Sequence, residues 1–348
     1  MHLLKCSIQN FNRIHEGYMM QNRKIISFII TLLLLFAVLL FSMMAGSIHV
    51  SFRELIQGLF TGNNEDVTVI KDLRMPRIII ASFAGAALAV AGVLLQAIMR
   101  NPLADSGIIG ISSGAQFTYI FGVTLFPTLF FWSPLFAFIG GAIACFLVFS
   151  LSWKSGLHPL RLILIGVAIN AVFTGLTESF NFRGSYSVTS ISSATTSTLS
   201  MKTWNDVEIM VIFGGIGLIL AFVTFASCNL LALQDKTVKS LGVPVMRLRI
   251  FIAAVAVLLA ATSSAIAGMI AFIGILIPHI GRQLVGNDHK LLIPFSAVAG
   301  ALLLLLADTL GRTIIAPNEI PASIIMAIIG GPFLIFLLRR EDKVNETR

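Results

Sequence analysis

Long apolar runs dominate this chain, and they are separated by short polar punctuation. The first clear run, Ile25 to Ala45, contains no charged residue. Further apolar blocks fall near 76–98, 107–126, 132–151, 160–181, 209–231, 247–266, 268–286, 291–310 and 321–338. About 20 mostly apolar residues are needed for a helix to cross roughly 30 Å of hydrocarbon. The pattern therefore predicts an all-α integral membrane protein of ten transmembrane helices, forming one transmembrane domain over 25–340. An N-terminal segment (1–24) and a tail (341–348) flank it. The seventh and eighth blocks are nearly fused, and Ser263-Ser264-Ala265 is the expected break between them.

Composition agrees with the pattern. Of the 348 residues, 57% are apolar and 11% charged, against about 25% charged in an ordinary soluble domain; the mean hydropathy is +0.93. Three cysteines, far apart in the chain, give neither a disulfide framework nor a metal-ligand spacing. No secretory signal is read in the polar first 22 residues. The net charge of +8 is explained by topology. With both termini in the cytoplasm, 17 of the 24 Lys and Arg lie inside and 7 outside, as the positive-inside rule expects. A nine-span reading turns the last inner loop and tail outward and erases that bias. Binding to nucleic acid is therefore not expected.

Two polar segments interrupt the runs. In Gly184–Thr203, 12 of 20 residues are Ser or Thr, which suits a solvated outer connection. Leu231–Arg249, reading LALQDKTVKSLGVPVMRLR, is expected to form an inner loop with a short amphipathic helix. Asp235 would cap that helix, Val238 and Leu241 would supply its apolar positions, and Gly242 and Pro244 would stop it.

Chemistry-bearing residues are few. In LLQAIMRNPLADSGIIGISSGA, from Leu94 to Ala115, Arg100 suits a helix C-terminus and Asn101-Pro102 ends that helix. Asp105 or Ser106 is placed to cap the next one. Gly110-Ile111-Ser112-Ser113-Gly114 matches the G-x-S-x-G nucleophile elbow. That motif requires a strand–turn–helix context, so an intramembrane hydrolase using Ser112 and His279 stands only as an alternative. His279 follows Pro278 and precedes Arg282 by three residues; hydrogen bonding to carbonyls freed by the proline is the simpler role. Asp308 and Arg312, one turn apart, are placed to pair, and Glu178 approaches the outer end of the fifth span. No acidic or histidine relay lies deep in the spans and no phosphate-binding loop occurs. An ATP-independent carrier or channel is the other alternative, but energy for pumping is expected from a partner chain.

Three strings carry a family resemblance: DLRMPRIIIASFAGAALAVAGVLLQAIMRNPLADSGIIGISSGAQF (72–117), AGMIAFIGILIPHIGRQLVGNDHKLLIPFSAVAGALLLLLADTLGR (267–312) and EIPASIIMAIIGGPFLIFLLRR (319–340). Together they resemble the permeases that import iron-siderophores and vitamin B12 as membrane subunits of ATP-binding cassette importers. Within these strings Arg74, Pro76, Arg77, Arg100, Asn101, Pro102, Asp105, Pro278, His279, Arg282 and Asp308 stand at family motif positions. Ser106 and Met269 replace the family's usual prolines, Ala271 replaces a glycine, and Ser/Thr-rich sequence near Ala194–Leu199 replaces a Trp-Met-Gly run.

The resemblance implies a type II importer architecture in the cytoplasmic membrane. It implies a second permease copy or sister permease, two cytoplasmic ATPase subunits that use ATP and Mg, and an extracytoplasmic substrate-binding protein. It implies that this chain itself binds no cofactor or metal and has no enzymatic site. A ferric siderophore is the implied cargo, with haem or cobalamin as the alternative, moved by alternating access. Coupling to the ATPase falls on Leu233, Gln234, Asp235, Lys236, Leu241 and Gly242. The family's Leu-Gly-Asp-Glu here reads Leu-Gln-Asp-Lys. Docking of the binding protein falls on Arg53 and Arg312, and the cytoplasmic gate on Pro159 and Leu160, within His158–Arg161.

Overall fold

The computed structural model describes residues 2–45, 70–153, 159–184, 199–316 and 318–346. Its elements are helical throughout. Helix α1 spans His2–Met44. A π-helical turn, Ile70–Arg74, leads into α2, Met75–Met99, where Pro76 occupies the first turn, a position at which a missing N–H costs nothing. Then come α3 (Ile111–Leu125), a 3-10 turn at Pro127–Trp132, α4 (Ser133–Trp153) and α5 (Pro159–Gly184). The next helical run is broken into α6 (Trp204–Ile209), a π turn (Met210–Gly214), α7 (Gly215–Val223) and α8 (Phe225–Leu231). The short α9 (Asp235–Ser240) precedes α10 (Val245–Ala267), α11 (Ile273–Val285), α12 (His289–Thr313) and α13 (Ala322–Glu346).

Among the described residues, seven helices are long and apolar enough to cross a membrane, and Ile273–Val285 and Ala322–Leu337 are shorter apolar helices. The break expected at Ser263-Ser264-Ala265 lies elsewhere. Those residues continue α10, and the chain leaves the helix at Gly268 (φ +79) and re-enters it after Phe272 (φ +71). Serines are tolerated inside a helix, whereas a positive φ is incompatible with one. Helix α3 likewise begins later than expected, at Ile111 with Gly110 (φ +82) before it. Residues 101–110 are occupied by turns, so neither Asp105 nor Ser106 caps that helix.

Helix α2 is the centre of the bundle. Of its most apolar window 83% is buried, against 11% for α1 and 22% for α5. Helices α10, α11 and α12 pack on it. Two glycine pairs set the crossings with α12 and α11. A Cβ on Gly85 would lie 2.2 Å from the Gly300 oxygen, and one on Gly92 would lie 2.1 Å from the Gly274 oxygen. Small residues replace side-chain packing by backbone contact in a solvent of lipid, where hydrophobic burial between helices gives little. By contrast α5 leaves Leu164, Val167, Val172 and Leu176 exposed along its length.

Candidate functional site

An arginine stands at each end of α2, and each organises a polar cluster. At the beginning of the helix, Arg77 forms a fork on Asp308 of α12: Nε lies 3.0 Å from both carboxylate oxygens and Nη2 is 2.9 Å from Oδ1. The Asp308 side chain is 1% exposed and that of Arg77 10%. Arg77 Nη1 also donates to Glu319 Oε2 at 2.7 Å and to Ser200 Oγ at 3.3 Å, while Ser200 donates to Glu319 at 2.8 Å. Glu319 is half-exposed. Burial pushes its carboxyl up, but hydrogen bonds from Arg77 and Ser200 outweigh that and hold it below the usual glutamate range.

Arg312 lies within the same cluster. Its Nε is 3.4 Å from Asp308 Oδ2, and its Nη2 donates to the Ser42 hydroxyl at 2.5 Å and the Ser42 carbonyl at 3.2 Å. The residue is 7% exposed. The expectation that Arg312 faces outward as a docking cation does not match this placement: its donors are turned inward and tie the end of α1 to α12. Arg74 is also buried and donates to the Met43 carbonyl at 3.0 Å. Arg53, the other docking residue expected, lies outside the described residues.

At the opposite end, Arg100 is the C-cap of α2 in the left-handed conformation (φ 49, ψ 37). Its Nε donates to the Leu231 carbonyl at 2.8 Å, and its Nη2 donates to the Leu233 carbonyl and to Asp235 Oδ1, the latter at 2.6 Å. Arg249 of α10 donates to the same Asp235 oxygen at 3.0 Å. The short amphipathic helix read from the sequence is present as Asp235–Ser240. Its cap differs, because Gln234 is the N-cap with no side-chain hydrogen bond and the Asp235 carboxylate is held by the two arginines. Val238 is fully buried, while Leu233 and Leu241 are 45% and 60% exposed. Gln234, Lys236 and Gly242 are exposed, and Gly242 (φ +75) turns the chain.

Beside this clasp the 101–110 turns are fastened from several directions. Gln96 Nε2 donates to the carbonyls of Gly274 at 2.9 Å and Ala104 at 3.3 Å, and its Oε1 accepts from Arg282 Nη2 at 2.5 Å. Asn101 Oδ1 accepts from the Leu103 N–H at 3.0 Å, and Pro102 is exposed. Asp105 Oδ2 accepts from the Gly107 N–H at 3.1 Å. Burial pushes the Asp105 carboxyl up to about 6, against backbone N–H groups of Gly107, Ser106 and Gly274 that favour its charge. A separate link joins α8 to α12: Asn229 donates to Asp288 at 2.8 Å and accepts from the His289 N–H at 3.0 Å.

The remaining expected residues are dispersed. Ser112 donates to Ser106 Oγ at 3.3 Å from within α3. The His279 ring pairs with Gln283 at 2.9 Å and meets Phe333 edge-on at 5.7 Å, with Pro278 inside the same helix. No strand precedes Ser112 among the described residues, so the elbow geometry is missing there. Glu178 lines a small cleft with Ser113, Gln116, Thr174, Thr177 and Met269. Pro159 and Leu160 open α5; His158 lies outside the described residues. Among the described residues no group of three His, Cys, Asp or Glu is placed to hold a metal ion.

A bundle built on one buried helix, with seven helices among the described residues long and apolar enough to cross a membrane, defines a multi-pass membrane protein. The chain belongs to the FecCD transport family, whose model matches residues 33–340. It is 42% identical over 325 residues to the "Probable heme-iron transport system permease protein IsdF" of Staphylococcus aureus (strain MSSA476), covering 93% of this chain and 99% of the relative. The structure is similar to that of a metal-chelate type ABC transporter solved in an inward-facing conformation, with TM-score 0.74 and 30% identity over 90% of this chain and 98% of the other. PsaBC from Streptococcus pneumoniae, in complex with Fab, shares the fold at TM-score 0.54 and 16% identity, over 82% of this chain and 95% of that one. This chain is the permease of an ATP-binding cassette importer.

Proposed function

We propose that this permease moves an iron chelate inward across the cytoplasmic membrane, and that the cargo is haem-iron rather than the ferric siderophore expected from the family at large. The observation that carries this reading is the 42% identity to IsdF along almost the whole of both chains. In this reading the chain crosses the membrane ten times with both termini inside, the Arg100 end of α2 faces the cytoplasm and the Arg77 end faces out. A second permease, identical or sister, completes the path. Two ATPase subunits bind the exposed Leu233, Lys236 and Leu241 face, hydrolyse the ATP that this chain does not, and reorient the bundles by alternating access. A binding protein delivers cargo outside, with Arg53 as the docking cation kept from the sequence reading.

The test is transport by the complex in proteoliposomes with its ATPase and binding protein. Haem uptake that needs ATP, and exceeds uptake of ferric siderophores, is the expected result. Preferred uptake of a ferric siderophore restores the family's commoner cargo. Uptake that persists without ATPase and ATP removes the importer reading.

A further inference from the structure

Helix α9 has six residues and is too short to hold itself in place. Three contacts fix it. Val238 is its apolar foot, fully buried. Arg249 reaches Asp235 from near the start of α10, the helix that follows. Arg100 reaches it from α2, more than 130 residues away in sequence, and satisfies at the same time the carbonyls of Leu231 and Leu233 at the end of α8. One guanidinium thus closes a helix terminus, spans a loop and holds the first residue of α9. A planar fork of donors suits that task, and a lysine ammonium, a point charge, does not. Arg100 does this from a left-handed backbone, a conformation that residues other than glycine rarely adopt.

Beyond Arg100 the path is rigid. Helix α2 is the most buried span, and Gln96, one turn back from Arg100, is bonded to Ala104, Gly274 and Arg282. A displacement of α9 therefore meets α2 through Arg100, and meets α11 through Gln96.

We infer that Arg100 is a positioning residue that makes α9 and α2 move as one body, and that Asp235 serves this clasp rather than contacting the ATPase. The inference rests on the proposed contact between the ATPase and α9. It assigns the two sides of that helix different work: Leu233, Lys236 and Leu241 face the partner, and Asp235 faces the permease's own arginines.

The experiment measures haem uptake and ATP hydrolysis together in the same proteoliposomes, containing permease, ATPase and binding protein. Arg100→Lys and Asp235→Asn are each expected to lower uptake per ATP hydrolysed by about fivefold or more. The double variant should lose no more than the worse single one, because both changes open the same clasp. An uptake-to-hydrolysis ratio equal to wild type in Arg100→Lys overturns the inference. So does a double variant whose losses multiply, or an Arg100→Lys permease that no longer retains the ATPase, since Arg100 would then shape the docking surface. Arg249→Lys, which leaves Arg100 in place, should lower the ratio less than Arg100→Lys; the reverse order also overturns it. A wild-type complex without ATP-dependent haem uptake instead defeats the haem-importer reading and is recognised before any variant is made.

Discussion

The two ends of α2 carry the same kind of residue in opposite circumstances. Arg77 is sealed against Asp308, whose side chain is 1% exposed, while the Arg100–Asp235 pair is about one-third exposed on both sides. About 23 residues separate them, so at 1.5 Å per residue they lie roughly 35 Å apart along the helix. Desolvated charges are costly to bury and more costly to orphan; exposed ones contribute little to stability in either direction. The difference teaches a division of labour. The Arg77 end is a closed structural joint, with Asp308 serving two arginines from α2 and α12 and Glu319 fastening the loop beyond. The Arg100 end is a joint accessible to a partner, whose strength lies in geometry rather than burial.

The sharpest way to break this contrast is Asp308→Ala. It leaves the guanidinium groups of Arg77 and Arg312 buried without their shared carboxylate, and removing one member of a buried ion pair costs about 3–5 kcal/mol. Unfolding of the purified permease in detergent should show that loss. A cost under about 1 kcal/mol would mean that water reaches the site and that the joint is not closed.

A second test concerns Asp105, the buried carboxylate near the Arg100 end. Its carboxyl is raised to about 6 by burial, above its unfolded value. Its contribution is therefore fully present below about pH 4 and is lost as pH rises through 6. Stability should fall by about 1 kcal/mol between pH 5 and pH 8 on this account alone, with no further fall above pH 7. Asp105→Asn, which does not ionise, should flatten that part of the profile. An unchanged profile would show that the backbone N–H groups around Asp105 win over desolvation.

Much of this arrangement was legible in the sequence, and the illegible parts share a cause. Hydrophobic runs gave the helical blocks because membrane crossing demands length and apolarity together. Asp235–Ser240 was readable because its stop signals, Gly242 and Pro244, are local. The pairing of Asp308 with Arg312 was readable for the same reason, being one turn apart. Its dominant partner, Arg77, lies 231 residues away and leaves no periodic trace. Glu319, Gln96 and Ser42 were missed likewise, since each acts through a distant element; Arg249 was missed although only 14 residues separate it from Asp235. Local rules also misplaced two caps: Asp235 and Asp105 look like helix starters, but arginines claim the first and a turn claims the second. Arg312 misled in a further way, because a cation at a helix end reads as exposed until the end of α1 is seen to cover it.

Glu319 lies between the two extremes and sharpens the comparison. Its carboxyl is held low by Arg77 and Ser200 against the opposing effect of burial, so its contribution is present above its unfolded value and lost as pH falls through the folded one. With the side chain 41% exposed, solvent screening limits that contribution to about 1 kcal/mol or less. Glu319→Gln should cost that much at pH 7 and progressively less as pH falls below the usual glutamate range. A loss approaching that of Asp308→Ala would place Glu319 inside the closed joint instead of at its rim.

The smallest expected stability effect belongs to Asp235→Ala. Its side chain is 38% exposed, and exposed pairs contribute about 0–1 kcal/mol. Raising ionic strength from 0.1 to 1 M shortens the screening length from about 10 to 3 Å, so the small cost measured at low salt should shrink further at high salt. Asp308→Ala should be almost insensitive to the same change, because its pair is shielded from ions. If Asp235→Ala proved as destabilising as Asp308→Ala, and equally indifferent to salt, both ends of α2 would be structural joints. If it unfolds like wild type while uptake per ATP falls, the Arg100 end is a joint whose value is felt only when the partner pushes.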